Sequence, residues 1–276
     1  MAITNFIPTV WTENLSQQIA HQYISAANCN RDYEGEIREK GSSVKICGLN
    51  PIVISDYQKN MDISAPDVLS DTACELVIDQ AKYFNFAIDD IDRVQASPKL
   101  MDLALKNAAD ALANEADAYI MKMCVENTKT TFIQDGETSR SNMLEIFFRA
   151  RTFLAERKVA NPNEIIFEVS PLIAQYIMQS QLDLGMTNET MEKGCIGNIA
   201  GCKVFVSNNI YMTENGPDMY YHCIARSKRA VAFAEQLSEV EAYRPESRFA
   251  DAVKGLHLYG AKIVFPDEML IMKISA

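Results

Sequence analysis

Between Lys99 and Glu126 the chain holds neither glycine nor proline, and Met101, Leu105, Ala108, Leu112, Ala116, Tyr119 and Met123 follow one another at steps of three or four. That period places them on one side of a helix. Ser97 and Pro98 supply a cap and a proline for the first turn, so the predicted helix over 97–126 is about 45 Å long at 1.5 Å per residue. A rod of this length acts as a strut, and its alanines let neighbouring elements come close. Shorter stretches repeat the period. Leu15, Ile19 and Tyr23 predict an amphipathic helix within 11–27, and Leu144, Phe147, Phe148, Arg151 and Leu154 predict another over 143–158. A third is expected from Pro171 to about Leu184, after a turn at Asn161-Pro162-Asn163 and a strand over 164–169.

Elsewhere β-branched runs replace the helical period. Residues 43–79 open with VKICGL and close with ACELVID, with prolines and polar residues between. This predicts two strands bracketing a long excursion with little apolar material of its own. An isolated hairpin is marginal, and a long excursion from a compact domain is usually a binding segment. Further strands are predicted at 203–207 and 219–225, with extended chain over 230–243 where Val231, Phe233, Val240 and Ala242 alternate with other residues. Near the end, residues 255–260 are expected to pair with 261–266. The stretch GCIGNIAGCKV, Gly194 to Val204, predicts a glycine-rich turn feeding a strand.

Composition narrows the class. With 276 residues, 48% hydrophobic and 23% charged, the chain can bury one sizeable core or two modest ones. A net charge of −11 argues against wrapping bare nucleic acid, which needs clustered cations; Arg226, Lys228 and Arg229 form the densest basic cluster. The opening MAITNFIPTVW lacks a basic start and a long apolar run, so neither a secretory signal nor a membrane span is indicated, and a cytoplasmic protein is expected. Seven cysteines without a C-x-x-C pair suit reduced, buried thiols.

The chemical motifs fail one by one. GCIGNIAGCKV has three residues between Gly197 and Gly201 and a valine after Lys203, so it is not a phosphate loop; a strand follows it where a dinucleotide fold needs a helix. No G-x-S-x-G elbow is present. His21 and His257 have no sequence-local carboxylate or cysteine partner, and His222, in the run Met219-Tyr220-Tyr221-His222-Cys223, is expected to face a sheet surface, so all three read as structural. Cys195 and Cys202 lack two further zinc ligands. Asp89-Asp90-Ile91-Asp92 has no central glycine or closing glutamate for calcium and reads as polarity and capping ahead of the strut. No catalytic, cofactor-binding or metal-ligating residue is therefore assigned, and no enzymatic activity is expected.

The order of elements carries more information than any motif. Asn30-Arg31-Asp32-Tyr33-Glu34-Gly35-Glu36-Ile37 follows an N-terminal arm. Ile78-Asp79-Gln80-Ala81-Lys82-Tyr83-Phe84 through Asp92 precedes the strut, and Gly197 through Asn209 lies in the body. Val240-Glu241-Ala242-Tyr243-Arg244-Pro245, Phe249-Ala250-Asp251 and Gly255 through Pro266 close the chain. Together these resemble the major capsid protein of tailed bacteriophages, whose fold is shared with the herpesvirus capsid floor and encapsulins. The resemblance covers essentially the whole chain.

It implies an α+β fold with an N-terminal arm at 1–32 and an extended β-hairpin loop at 43–79 that overlaps a neighbouring subunit. A peripheral domain would take 33–42, 80–127 and 229–251, with the spine helix at 97–126, and an axial domain 128–228 and 252–276. The implied function is self-assembly, as pentamers and hexamers, into an icosahedral shell enclosing double-stranded phage DNA contacted non-specifically. A separate scaffolding protein and a portal would be further partners, no membrane or cofactor would be involved, and assembly in the host cytoplasm would place the protein in the virion. Some relatives join subunits by a lysine–asparagine isopeptide bond. Lys59 lies in the predicted loop beside Asn60, but no matching asparagine and glutamate are evident, so non-covalent assembly is expected. Two other readings stay open: the shell of an encapsulin-like nanocompartment, and a cytosolic α/β enzyme with 43–79 as a mobile lid.

Overall fold

A computed structural model describes residues 8–32, 43–49, 59, 71–89, 100–128, 130–134, 140–157, 164–183, 195–199, 201–215, 218–237, 240–247 and 249–275. The strut forms as α2, Leu100–Asn127; residues 97–99, with the predicted cap, lie outside the described residues. Leu105, Ala109, Leu112, Ala113, Ala116, Ile120, Met121 and Cys124 are buried along it. Ahead of it α1, Pro8–Gln22, sets Leu15, Ile19 and Tyr23 into the same cluster. The residues after α1 tighten into a short 3-10 turn, Ala26–Asn28.

The strut packs on an antiparallel sheet of four strands. Its middle strand is β12, Ala250–Ile263. β3, Gln80–Asp89, runs along one edge, while β10, Val231–Leu237, and β11, Glu241–Tyr243, share the other. Alternation sorts the two faces. Phe233, Tyr259 and Ala261 face the helices, whereas Ala232, Ala234 and Leu258 join Val44, Ile46, Leu76 and Ile78 in a smaller cluster on the other side. Val44, Ile46 and Leu76 come from the predicted hairpin, formed by β1, Ser43–Leu49, and β2, Asp71–Val77, in antiparallel register. Of the excursion between these strands only Lys59, exposed in a turn, falls within the described residues.

One expectation is corrected here. Residues 255–260 do not pair with 261–266, because β12 runs unbroken from 250 to 263. Gly260 serves close approach instead: a Cβ there would stand 2.3 Å from the backbone oxygen of Val77 at the hairpin base. Of the acidic run at 89–92, Asp89 ends β3; the rest lies outside the described residues. β3 itself is not among the predicted strands, although Phe84, Phe86 and Ile88 alternate; Phe84 and Phe86 stack with centroids 6.0 Å apart.

The second sheet has seven strands, ordered β4-β13-β9-β5-β7-β6 with β8 beside β9. They are β4 (Thr131–Gln134), β5 (Ile165–Val169), β6 (Cys195–Ile199), β7 (Cys202–Val206), β8 (Met212–Asn215), β9 (Asp218–Ser227) and β13 (Met269–Ser275). The pattern predicts neither β4 nor β8. Two helices, α3 (Arg140–Glu156) and α4 (Pro171–Asp183), cover one face. Met143, Ile146, Phe147, Ala150 and Leu154 of α3 meet Ile173 and Ile177 of α4 and the strand residues Phe167, Cys223 and Met272. Phe147 and Phe167 meet edge to face at 5.0 Å. On the opposite face Ile224, Met269 and Ile271 belong to the strut's cluster, so one core joins both sheets.

GCIGNIAGCKV is only partly a turn. Its first half is β6, which pairs with β7 through a bulge at Cys195/Gly197, and Gly201 turns the corner with φ +80°, a conformation that side chains with a Cβ avoid. The division drawn at 251/252 passes through β12, which holds 250–263 with β3 and β10; only β13 returns to the larger sheet. Among the described residues no helix is long and apolar enough to cross a membrane.

Candidate assembly surfaces and the arm anchor

The segment after α1 is tied down by two side chains from distant elements. Asp117 sits on the buried stripe of α2, and its two carboxylate oxygens accept the backbone N–H groups of Ile24 and Ala26, each at 2.9 Å. Arg226, on β9, donates to the backbone oxygens of Asn28 at 3.0 Å and Ser25 at 3.1 Å. The rest of its guanidinium holds Glu168 of β5 in two bonds of 3.0 Å, with both side chains fully buried. Paired in this forked way, neither charge is left bare. Asn30 then adds a parallel bridge beside β10: its N–H donates to Val231 and its carbonyl accepts from Phe233, both at 2.9 Å.

Beyond the bridge lies a second charged centre. Glu235 accepts from the Tyr23 hydroxyl, from Arg31 and from His257 Nε2, the last at 2.8 Å. Burial works against its ionisation, but these donors outweigh it and hold the carboxyl below its usual range. Burial raises the Tyr23 hydroxyl, helped by Glu235. Arg31 also lies over the rings of Tyr23 and Phe233 at 5.7 and 5.9 Å, so the arm is anchored by charge, backbone pairing and aromatic contact together.

The structure reassigns the basic cluster expected at 226–229. Arg226 is interior, and Arg229, exposed like its neighbour Lys228, is paired with Glu268. His257 gains the carboxylate partner that local sequence lacked, on the neighbouring strand. His222 is buried and meets Thr213 at 2.9 Å; burial first, and Lys273 second, lower its pKa. His21 is exposed on α1. Burial raises the thiols of Cys29, Cys124 and Cys223, which makes them inert. Sequence reading passed over Asp117 and Glu168, yet each is an acid among apolar neighbours: Ala113, Ile120 and Met121 in helical phase with the one, the run Ile165-Ile166-Phe167 before the other. That mismatch is the available signal.

Large apolar side chains remain on the surface. Phe249 is 82% and Tyr83 75% exposed; Tyr83 stands opposite Leu256 across β3 and β12, in phase with Ala81 and Leu258 and so on the face that carries the hairpin, beyond its cover. Phe148 on α3 and Met212 on β8 are about half exposed. A groove of about 420 Å³ opens beside Phe148, lined also by Phe153, Ala150, Leu270 and Thr131.

Asp117 gives a pH signature. Burial raises its pKa from 3.8 to about 6, against the lowering effect of the Ile24 and Ala26 amides. The folded state then holds this proton more tightly than the unfolded chain, so the associated stability is fully present below pH 3.8 and is lost as pH rises towards 6. The shift corresponds to about 3 kcal/mol. The stability of Asp117→Asn relative to the parent protein is therefore expected to improve by up to that amount between pH 4 and 6.5, read by urea denaturation; a flat difference would contradict it.

No protein-family model and no curated protein matches the sequence. Solved structures do match. One from Mycobacterium phage Che8 superposes with a TM-score of 0.68 at 27% identity, over 91% of this chain and 90% of that one. The capsid of Ralstonia phage GP4 gives 0.67 at 11% identity, over 90% and 87%. A virus-like particle from Pyrococcus furiosus gives 0.56 at 12% identity, over 94% and 96%. The chain has the α+β fold of tailed-phage capsid subunits.

Proposed function

We propose that this chain is the major capsid protein of a tailed bacteriophage, a structural subunit and not a catalyst, whose copies assemble as pentamers and hexamers into an icosahedral shell around double-stranded DNA. The observation that carries the proposal is the whole-length likeness to capsid structures, supported by the anchored arm and the extended hairpin. The arm at 1–32 and the loop at 43–79 reach neighbouring subunits. The strut with the four-stranded sheet forms the peripheral part, and the larger sheet the axial part at capsomer centres. A separate scaffolding protein and a portal complete the particle, which forms in the host cytoplasm. Contact with DNA is non-specific and weak, in keeping with the net charge of −11 and the internal use of Arg226.

Electron micrographs of the purified protein are expected to show closed shells under assembly conditions. Compact monomers under every condition would overturn the reading, and shells built in cells around protein instead of DNA would transfer it to a nanocompartment. Charge adds a dependence on salt. Protomers of −11 repel one another at low ionic strength, and at about 0.15 M the screening length falls to roughly 8 Å, shorter than most distances between exposed charges but not than close pairs at a seam. Light scattering should rise as salt is raised from very low values, before seam pairs are screened in turn. A steady fall from the lowest salt upward would mean that complementary attraction dominates.

A further inference from the structure

The ten residues of β3, Gln80–Asp89, pair one by one with β12 without a bulge. Among the described residues β12 is the only strand they meet, so the N–H and C=O groups along the other side of β3 form an open edge. Natural edges are blunted by shortness, proline, bulges or charge. From Tyr83 to Ile88 this edge has none of them. Lys82, just before, turns towards the strut and pairs with Glu115 at 3.1 Å.

The side chains on the strut side of this edge are incompletely covered. Phe84 and Phe86 pack against the strut's cluster and Ile88 follows them in phase, yet all three stay half-buried, whereas Val253, opposite Phe86 on β12, is fully buried. On the other face Tyr83, Asn85 and Ala87 are exposed. A further strand along the edge would pair its backbone and complete the burial of Phe84, Phe86 and Ile88 together.

We infer that this edge pairs antiparallel with the same edge of a second copy of the chain, about a two-fold axis through Phe86. An axis perpendicular to the sheet keeps both struts on one side, so directly opposed residues share a face. Centred on Phe86, it lays Phe84 against Ile88, Phe86 against Phe86 and Asn85 against Ala87 of the second copy, and the strut-side row then meets only apolar side chains. Centred one residue earlier, it would set Lys82 against Ile88 and bring Asp89 diagonally beside Asp79; centred one residue later, it would set Phe84 against Asp90. The edge is thus complementary to itself in one register, which makes the occupant a copy and not another protein. Neighbours within a pentamer or hexamer are related by five-fold or six-fold rotation. The two-fold contact, which rests on the shell reading above, therefore joins subunits of adjoining capsomers.

The test mixes Asn85→Cys and Ala87→Cys, both at exposed positions, with diamide, which takes up the two hydrogens as the disulfide forms. Directly opposed Cβ atoms lie about 4.5–5.5 Å apart and diagonal neighbours about 7–8 Å apart, so the two different variants can be bridged where two copies of one variant cannot. Covalent dimers holding one copy of each variant, identified by mass, should exceed those of either variant alone by about tenfold, since a disulfide tolerates little error in separation. The parent treated alike gives the background from its own cysteines. Independently of any variant, hydrogen exchange of the parent across 80–89 should slow when copies associate. Shells that form without the mixed dimer, or amides across 80–89 that are all protected in the isolated subunit already, overturn the inference and leave the shell reading intact. Mixed dimers of a protein that builds no shells keep the contact and overturn the shell reading, and the absence of both dimers and shells overturns both.

Discussion

Arg226→Ala is expected to remove about 3–5 kcal/mol of folding stability, the usual cost of breaking one side of a buried ion pair. The reason lies in what stays behind. Glu168 is fully buried and its two oxygens are held by Arg226, so truncating the arginine strands a carboxylate without a counter-charge. The backbone oxygen of Asn28 loses its donor at the same time, and an unsatisfied acceptor costs about 1–3 kcal/mol, whereas the oxygen of Ser25 keeps the Asn28 amide and the Cys29 thiol. Denaturant titration should show the loss, and hydrogen exchange should quicken at residues 24–31. Two controls separate the causes. Removing both charges with Arg226→Met and Glu168→Leu should cost clearly less than Arg226→Ala, because no bare charge remains, although the arm still loses its bonds. Lowering the pH should partly rescue Arg226→Ala, since a stranded carboxyl has a raised pKa and its penalty disappears once it is protonated. A single substitution no worse than the double one would show that the pair contributes little and that arm contacts dominate.

The sequence reveals those parts of the fold that are local. The strut is written in a period of three to four over 97–126 and appears as Leu100–Asn127; the helices and the strand at 164–169 are set by neighbours in the chain and fall within a few residues of expectation. Long-range pairing is not written that way. Arg226 looks like part of an exposed basic run because Lys228 and Arg229 follow it, and only the return of β5 to β9 brings Glu168 to it. Asp117 stands 93 residues from the Ile24 amide it accepts, so its role depends on where α1 lies against α2. β3 is legible in retrospect through Phe84, Phe86 and Ile88, but the acidic residues that follow make it look like the approach to a helix. The closing segment shows the same limit. Residues 255–260 were expected to pair with 261–266, whereas Gly255 and Gly260 lie in one continuous strand and each makes room for something packed on it.

That last distinction gives the second large effect, Gly260→Val. The new Cβ would stand 2.3 Å from the backbone oxygen of Val77 and 3.1 Å from the Cα of Ile78. Both are main-chain atoms, so no rotamer change relieves the overlap and the base of the hairpin must lift off the sheet. Lifting it exposes Val44, Ile46 and Leu76 and uncovers Ala232, Ala234 and Leu258. At about 1.5–3 kcal/mol for each large aliphatic side chain returned to water, the loss is several kcal/mol and falls on this small cluster. The cores around the strut and beneath α3 share no residue with it. The expected result is therefore local: fast hydrogen exchange across 43–49 and 71–77 in a subunit whose remaining helices and strands stay protected. If the hairpin carries contacts between subunits, shells should also fail to form at concentrations where the parent assembles. Gly255→Ala is the matched control, because its Cβ would meet only the ring of Phe84, at 2.5 Å, a side chain on a half-exposed edge strand that can turn aside; a cost of about 1–3 kcal/mol, as for ordinary overpacking, is expected there. Unchanged exchange at 43–49 and 71–77 in Gly260→Val would show that the hairpin does not need this close approach to the sheet.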